Sequence, residues 1–279
     1  VLMIDELILN ALKEDIGEGD HSSLACIAVT EEGSARLEVR EAGIIAGIEI
    51  ARRIFELFDS SLKLEVFMED GSSVKPGDIA FIVKGPARSI LTTERLVLNM
   101  MQRMSGIATK TNQMVKMIDH TNATLLDTRK TTPNFRLFEK QAVLIGGGGN
   151  HRFGLYDMVM IKDNHIDFAG GVSEAIKATS SYLKAKSKKL SIEIEVRNRE
   201  ELTEVIRVGG VNRIMLDNFS PSEITEALKI IPKTYETEAS GGISQSTIVA
   251  YAETGVDFIS VGELTHSIKS LDLGLKARF

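Results

Sequence analysis

The chain has 279 residues, 43% hydrophobic and 26% charged, with a formal net charge of −6. That length is ample for one large α/β domain or two unequal ones. The acidic balance argues against a nucleic-acid or anionic-membrane binder, so any anion site must be a local concentration of cations.

A single cysteine, Cys26, excludes an intrachain disulfide framework and a multi-cysteine metal cluster. It reads as a small buried hydrophobe. No apolar run approaches the roughly 18 residues a membrane span needs. Residues 4–14 place Ile4, Leu7, Ile8 and Leu12 on one helical face. This acidic segment has no basic region and no small-residue cleavage site, so no signal peptide is expected and the cytoplasm is the default compartment. EDIGEGDHSS reads as a loop. From Gly33 to Leu91 short apolar runs alternate with turn signals, Asp70-Gly71 and Pro76-Gly77 among them. A small, mostly antiparallel sheet with a helix at RRIFELF is expected there. TTERLVLNMMQRMSGIATKTNQMVKMIDH is a long helix, capped by Thr92 or Thr93, with Glu94 at its positive end and an interruption at Ser105-Gly106. Its methionines are read as core filler.

After residue 120 the rhythm becomes strand, helix, strand, helix. The strand candidates are ATLLDT, MVMIKD, SIEIEV, RIMLDN, ETEASGG and FISVGE. SEAIKATSSYLKA, REELTEVIRV, PSEITEALKII and SQSTIVAYAETG are the helical segments between most of them. Continuous apolar runs joined in this way imply a parallel sheet, closed or partly closed into a barrel, with an open doubly wound sheet as the alternative. In an α/β barrel the C-terminal strand ends meet at one mouth. That rule gathers cations (Arg129, Lys130, His151, Arg152, Lys162), carboxylates (Glu193, Glu195, Asp217) and the glycine turns SGGIS and SVGEL, with Arg136 and Lys140 nearby in sequence.

Such a rim suits an anion carrying several carboxylates, or a carboxylate and phosphates. Arginine grips these groups through a planar fork, and lysine acts as a point charge. The turns at 240–244 and 260–264 expose backbone N–H groups at helix starts, as phosphate sites on barrels do. Glu193 and Glu195 point to one face of their strand. Carboxylates beside a phosphate site suit Mg²⁺ or a developing positive charge. The run GGGGNHR at 146–152 fits neither a Walker loop nor a dinucleotide fingerprint, so its glycines are read as shaping a tight turn that presents His151 and Arg152. Zinc on His151 and His165 has no supporting spacing. Two other function classes stay open at this point: a Schiff-base aldolase using Lys162 and a non-catalytic binder of phosphorylated ligands.

DTRKTTPNFRLFEKQAVLIGGGGNHRFGLYDMVMIKDNH strongly resembles the signature of the quinolinate phosphoribosyltransferases, also called nicotinate-nucleotide pyrophosphorylases (decarboxylating). EDIGEGD, TTERLVLNMMQRMSGIAT, IEIEV, IMLDNF, EASGGI and TGVDFISVGELTHS agree in order, so the resemblance covers nearly the whole chain. It implies an α/β fold with an N-terminal α/β sandwich domain, 1–105, plus an open, partial parallel α/β barrel, 106–265, the segment 266–279 returning to the sandwich. It implies transfer from phosphoribosyl pyrophosphate to quinolinate with Mg²⁺, giving nicotinate mononucleotide, pyrophosphate and CO₂ in NAD biosynthesis. It also implies a homodimer, or a higher oligomer built from it, that shares its active sites; the charge and hydropathy above lead us to expect no nucleic-acid or membrane partner.

Carried over residue by residue, Arg129, Lys130, His151, Arg152 and Lys162 match the pocket for the two quinolinate carboxylates, with Thr128 in the same motif. Arg95 matches an arginine from the partner subunit. Glu195 and Asp217 match carboxylates near the ribose and metal, acting directly or through water. Ser240, Gly241, Gly242, Val261, Gly262 and Glu263 match the phosphate-binding turns. Lys130, Glu195 and Asp217 would be catalytic, Lys130 as a candidate proton source after decarboxylation. The sequence departs from the family pattern at Asn134, where glycine is expected, and at Glu263, where alanine is expected. Asparagine tolerates a left-handed backbone; Glu263 would weaken phosphate binding or help hold Mg²⁺. A paralogous group associated with molybdate transport, with another substrate, is the alternative; the complete cation set argues against it.

Overall fold

A computed structural model describes residues 2–278. The backbone forms two compact units: Val1–Asn112 with Thr131–Gly147 and Leu264–Phe279, and Gln113–Lys130 with Gly148–Glu263. The first unit therefore runs past residue 105 and takes in the segment 131–147 as well. One cause is an ion pair: Glu139, fully buried, accepts two hydrogen bonds from the Arg103 guanidinium, at 3.1 Å from Nε and 2.8 Å from Nη2. None of the described helices is long and apolar enough to cross a membrane.

The first unit opens with α1 (Leu2–Ile16), α2 (His21–Cys26), β1 (Glu32–Val39), β2 (Gly43–Ile44), α3 (Ile48–Phe58), β3 (Lys63–Val66), β4 (Ser73–Val74) and β5 (Ile79–Pro86). Then comes α4 (Ala87–Met117). Its sheet is antiparallel, in the order β12-β1-β5-β3, where β12 is Leu273–Arg278; β2 and β4 form a separate pair. Phe55 on α3 meets Phe81 on β5 edge-on, centroids 6.1 Å apart, which fastens the helix to the sheet.

Several local expectations change. α2 stands where a loop was expected, because Asp20 caps it by accepting the Ser23 N–H at 3.1 Å. Cys26 is exposed, not buried: it ends a six-residue helix whose only buried residue is Ser23. α4 begins at Ala87, so Thr92 and Thr93 do not cap it and Glu94 lies two turns in. Thr93 instead bonds back to the Ser89 carbonyl at 2.7 Å.

α4 is also unbroken at Ser105-Gly106. Ser105 Oγ accepts the Ala46 N–H at 2.9 Å and donates to the Ala46 carbonyl at 3.1 Å. A Cβ on Gly106 would collide with the Lys269 carbonyl oxygen. Both small residues therefore admit neighbouring backbone. Gly106→Ala, which in an exposed helix would stabilise by about 1 kcal/mol, is expected here to destabilise by about 1–3 kcal/mol through overpacking. A lowered urea midpoint checks this, and a raised one would show that the backbone contact is soft. Met100, Met101, Met104 and Met114 are buried core residues, and Asn134 adopts the left-handed conformation (φ 61°) that glycine would otherwise supply.

β6 (Thr124–Leu126) begins the parallel sheet of the second unit, and α5 (Arg136–Ile145) follows in the first. The second unit continues with β7 (Val159–Ile161), α6 (Asp163–Ala169), α7 (Val172–Ala185), β8 (Ile192–Val196), α8 (Arg199–Val208), β9 (Arg213–Asp217), α9 (Pro221–Leu228), β10 (Glu236–Ser240), α10 (Ile248–Ala252) and β11 (Phe258–Ser260), ending at the start of α11 (Glu263–His266). All six expected strands are present, in the spatial order β6-β11-β10-β9-β8-β7.

Gly149 bridges to Leu126 on the free edge of β6, and a Cβ there would lie 2.9 Å from Leu126 Cδ2. Two residues later, His151 reaches Glu193 on β8 and Glu238 on β10. In a flat sheet β6 and β8 would stand roughly 19 Å apart, four strand spacings. The contact is possible only because the sheet curls, so this unit is a partial barrel with a polar interior.

Candidate functional site

The site of the second unit is built from strand ends. β6 runs into Asp127, Thr128, Arg129 and Lys130; Asp127 is fully buried, Thr128 and Arg129 are half-buried, and Lys130 is exposed. Thr128 Oγ1 accepts the Lys130 N–H at 3.0 Å and shapes this turn. Asp127 Oδ1 accepts the His151 N–H at 2.8 Å, tying the loop after β6 to the glycine-rich turn.

His151 is buried beneath the rim. Its Nε2 lies 3.0 Å from Glu193 Oε2 and 3.4 Å from Glu238 Oε2. Its Nδ1 accepts the Arg152 N–H at 2.7 Å. Glu238 also takes Arg213 Nη1 at 2.9 Å, and that guanidinium stacks on the Phe258 ring 3.8 Å away. Burial alone would lower the imidazole pKa, but Glu193 and Glu238 raise it to about 9. An imidazolium has no acceptor at Nδ1, so the Arg152 N–H contact belongs to the neutral ring and works against this rise. Burial pushes the Glu193 carboxyl up against the pull of His151. Burial works on Glu238 in the same sense, but His151 and Arg213 hold it below its ordinary value.

A raised folded-state pKa stabilises fully below the unfolded value of 6.5 and loses that contribution as pH climbs through about 9. Glu193, also raised, acts in the same direction. Stability of the ligand-free protein is thus expected to fall between pH 6.5 and 9. Denaturant midpoints across that range check this, and a midpoint that rises with pH would show that the ring is neutral throughout.

Arg152 is half-buried, and its Nη1 donates to the Met158 carbonyl at 3.3 Å. Its pKa is lowered by burial and then by the neighbouring Arg129 charge. Glu193 and Asp157 pull the other way, but among the described residues no carboxylate forms a close ion pair with its guanidinium, so this part-desolvated cation is set up for an anion. Lys162 directly follows β7, and its Nζ meets Glu195 Oε2 at 2.7 Å. His165 Nδ1 accepts the Lys162 N–H at 2.8 Å as part of the α6 cap, which is structural work rather than zinc binding. Glu193 and Glu195 share a face as expected but separate by depth: Glu193 joins the interior cluster and Glu195 meets a rim lysine.

Asp217 ends β9, where Oδ2 accepts the Asn218 amide at 2.6 Å. The Asn218 N–H donates to Ser240 O at 2.9 Å. A Cβ on Gly241 would lie 2.6 Å from Asn218 Cγ, at φ +98°, so glycine is required there. Ser240, Gly241 and Gly242 thus share a rim with Asp217. Val261 is buried, with its N–H on Leu126 O at 3.0 Å, and sets Gly262 and Glu263 at the end of β11. Glu263 Oε1 accepts the Gln245 N–H at 3.2 Å, so this departure from alanine places a carboxylate on the loop that leaves SGGIS. Arg95 is exposed on α4 in the first unit.

Two residues of the cluster escaped the sequence reading of function. Asp127 was treated only as a strand end. Glu238 lay unmarked in ETEAS, although a glutamate in the middle of a central parallel strand is a signal in itself.

Residues 107–276 match the C-terminal domain model, and residues 20–105 the N-terminal domain model, of quinolinate phosphoribosyl transferase. The chain is 46% identical to quinolinate phosphoribosyltransferase (decarboxylating) 1 of Nicotiana glauca, covering 95% of this chain and 80% of that one. It is 41% identical to the probable nicotinate-nucleotide pyrophosphorylase (carboxylating) of Bacillus subtilis, covering 98% and 93%. Among solved structures, NadC from Streptococcus pyogenes superposes with a TM-score of 0.93 at 38% identity, covering 100% of this chain and 98% of that one. Both domain models and these full-length likenesses agree: the chain belongs to the quinolinate phosphoribosyltransferase family.

Proposed function

We infer that the protein joins quinolinate to phosphoribosyl pyrophosphate and releases pyrophosphate and CO₂, forming nicotinate mononucleotide for NAD biosynthesis. The observation that carries this reading is the half-buried Arg152 guanidinium, placed beside Arg129 and paired with no described carboxylate. A guanidinium whose charge is disfavoured by burial and by a neighbouring arginine is best relieved by an anionic ligand. Quinolinate, with adjacent carboxylates, is such a ligand. Names of the curated relatives support the same substrate rather than the molybdate-associated alternative. The engagement of Lys162 by Glu195 favours charge pairing over imine formation, against the aldolase alternative.

In this reading Arg129, Arg152 and Lys162 orient the pyridine ring with its nitrogen toward the ribose. The nitrogen lone pair attacks the anomeric carbon as the bond to pyrophosphate breaks. Positive charge develops on the sugar, where Glu195 and Asp217 stabilise it. The turns at Ser240–Gly242 and Val261–Gly262 hold phosphate through backbone N–H groups. The ring nitrogen, now cationic, accepts the electron pair left when the C–C bond to the 2-carboxylate breaks. A proton then replaces the carboxylate, with Lys130 as its proposed source.

Asp217 and Glu195 fit a hydrated Mg²⁺: each commits one oxygen, to Asn218 and Lys162 respectively, and keeps a second for the ion or its water. Mg²⁺ would neutralise the leaving pyrophosphate. The exposed Arg95 is proposed to complete the pocket of a partner subunit in a homodimer. A cytoplasmic site is proposed as well; some plant relatives are named as mitochondrial or chloroplastic.

The test is turnover. Quinolinate, phosphoribosyl pyrophosphate and Mg²⁺ should yield nicotinate mononucleotide and pyrophosphate one to one. No product at saturating substrates would overturn the reading.

A further inference from the structure

We propose that Asp127 and Glu238 are positioning residues for the dicarboxylate pocket, anchoring His151 from inside the barrel so that Arg152 is held at the mouth. The proposal rests on the dicarboxylate reading above. Asp127 lies at the end of β6, Glu193 on β8 and Glu238 on β10, so three strands hold one histidine. Asp127 takes its backbone N–H, at 2.8 Å, while Glu193 and Glu238 face its Nε2. Arg152 is the next residue, and its own N–H lies on the His151 ring at 2.7 Å. Movement of the histidine is therefore passed directly to the backbone of the arginine.

The energetics point the same way. Asp127, Glu193 and Glu238 are fully buried. Apolar residues of similar volume would fill a barrel interior at no loss of stability, because desolvating charges costs about as much as pairing them returns. Three buried acids around one histidine are better explained by geometry than by stability. The three side chains could in principle take a metal, since their ligand atoms lie within 4.8 Å of one another. Arg213 argues against that: its Nη1 sits 2.9 Å from Glu238 Oε2, and its charge is already drawn by both glutamates.

The experiment compares Glu238→Gln, Asp127→Ala and Asp127→Asn with the wild-type protein, measuring quinolinate binding by calorimetry and KM for each substrate. Glu238→Gln keeps the shape, and Asp127→Asn keeps an acceptor for the His151 N–H. Glu238→Gln and Asp127→Ala are expected to raise Kd and KM for quinolinate about tenfold, with KM for phosphoribosyl pyrophosphate within about twofold. Asp127→Asn should restore most of the loss. Equal shifts in both KM values, or a lowered melting temperature with unchanged quinolinate affinity, would overturn the proposal by showing a purely structural role. Stoichiometric metal in the purified wild-type protein that is lost in Glu238→Gln would overturn it in favour of a metal site. Absence of quinolinate binding by the wild-type protein would overturn both this proposal and the function it rests on. Binding that Glu238→Gln leaves unaltered would overturn this proposal alone.

Discussion

Arg152→Ala is expected to weaken quinolinate binding about 100-fold, roughly 3 kcal/mol. The size follows from what the side chain has already given up. Its guanidinium is half-buried and shares its surroundings with Arg129. Among the described residues its one side-chain hydrogen bond goes to a backbone carbonyl 3.3 Å away. Hydrogen bonds to charged groups contribute about 1.5–3 kcal/mol each, and a forked contact uses two of them. Arg152→Lys should recover little, because a lysine cannot reproduce the planar fork. KM for phosphoribosyl pyrophosphate should change far less. Calorimetric titration of quinolinate into both variants is the check. An Arg152→Ala protein that binds quinolinate within threefold of wild type would remove this residue from the pocket.

Glu195→Gln is expected to lower kcat by about 100-fold or more, the range seen when a group stabilising transition-state charge is removed. Glu195 is buried at the barrel mouth and meets Lys162 Nζ at 2.7 Å. The substitution keeps a hydrogen-bond acceptor for Lys162 but deletes the charge that would face a cationic sugar. A loss in kcat without a matching loss in substrate affinity is therefore the signature. If Glu195 served only to hold Lys162, the damage would instead fall on KM for quinolinate. A double-mutant cycle with Lys162→Ala separates the two, since a purely pairwise role makes the second substitution nearly silent in the first background.

Much of this was written in the local sequence. The six barrel strands announce themselves because each is a short apolar run ending in polar residues, a pattern that survives without knowledge of neighbours. α7, α8 and α9 follow from their periodicity and, at Ser220-Pro221 and Asn198, from capping chemistry. What failed to show was set by distant chain. Ser105-Gly106 looks like a break only until Ala46 and Lys269 are seen packed against it. Cys26 looked apolar, but a one-and-a-half-turn helix has no room for a second buried face. The same limit governs the site. Rim cations could be found by inspection, because loops carry them without structural need. The meeting of the interior acids on one histidine could not, since which strand faces which across a curled sheet is a property of closure. Glu193 and Glu195, two residues apart on one face, looked equivalent and act at different depths.

The first unit has a consequence for synthesis. β1 sits between β5 and β12, so one of its edges is covered only by residues 273–278. A nascent chain emerging from the ribosome would carry β1 with an open flank throughout the making of the entire barrel. Exposed strand edges of that kind recruit other chains. Maturation of this unit thus waits for residues 273–278, and ribosome stalling or truncation before residue 273 would release a chain with an adhesive edge.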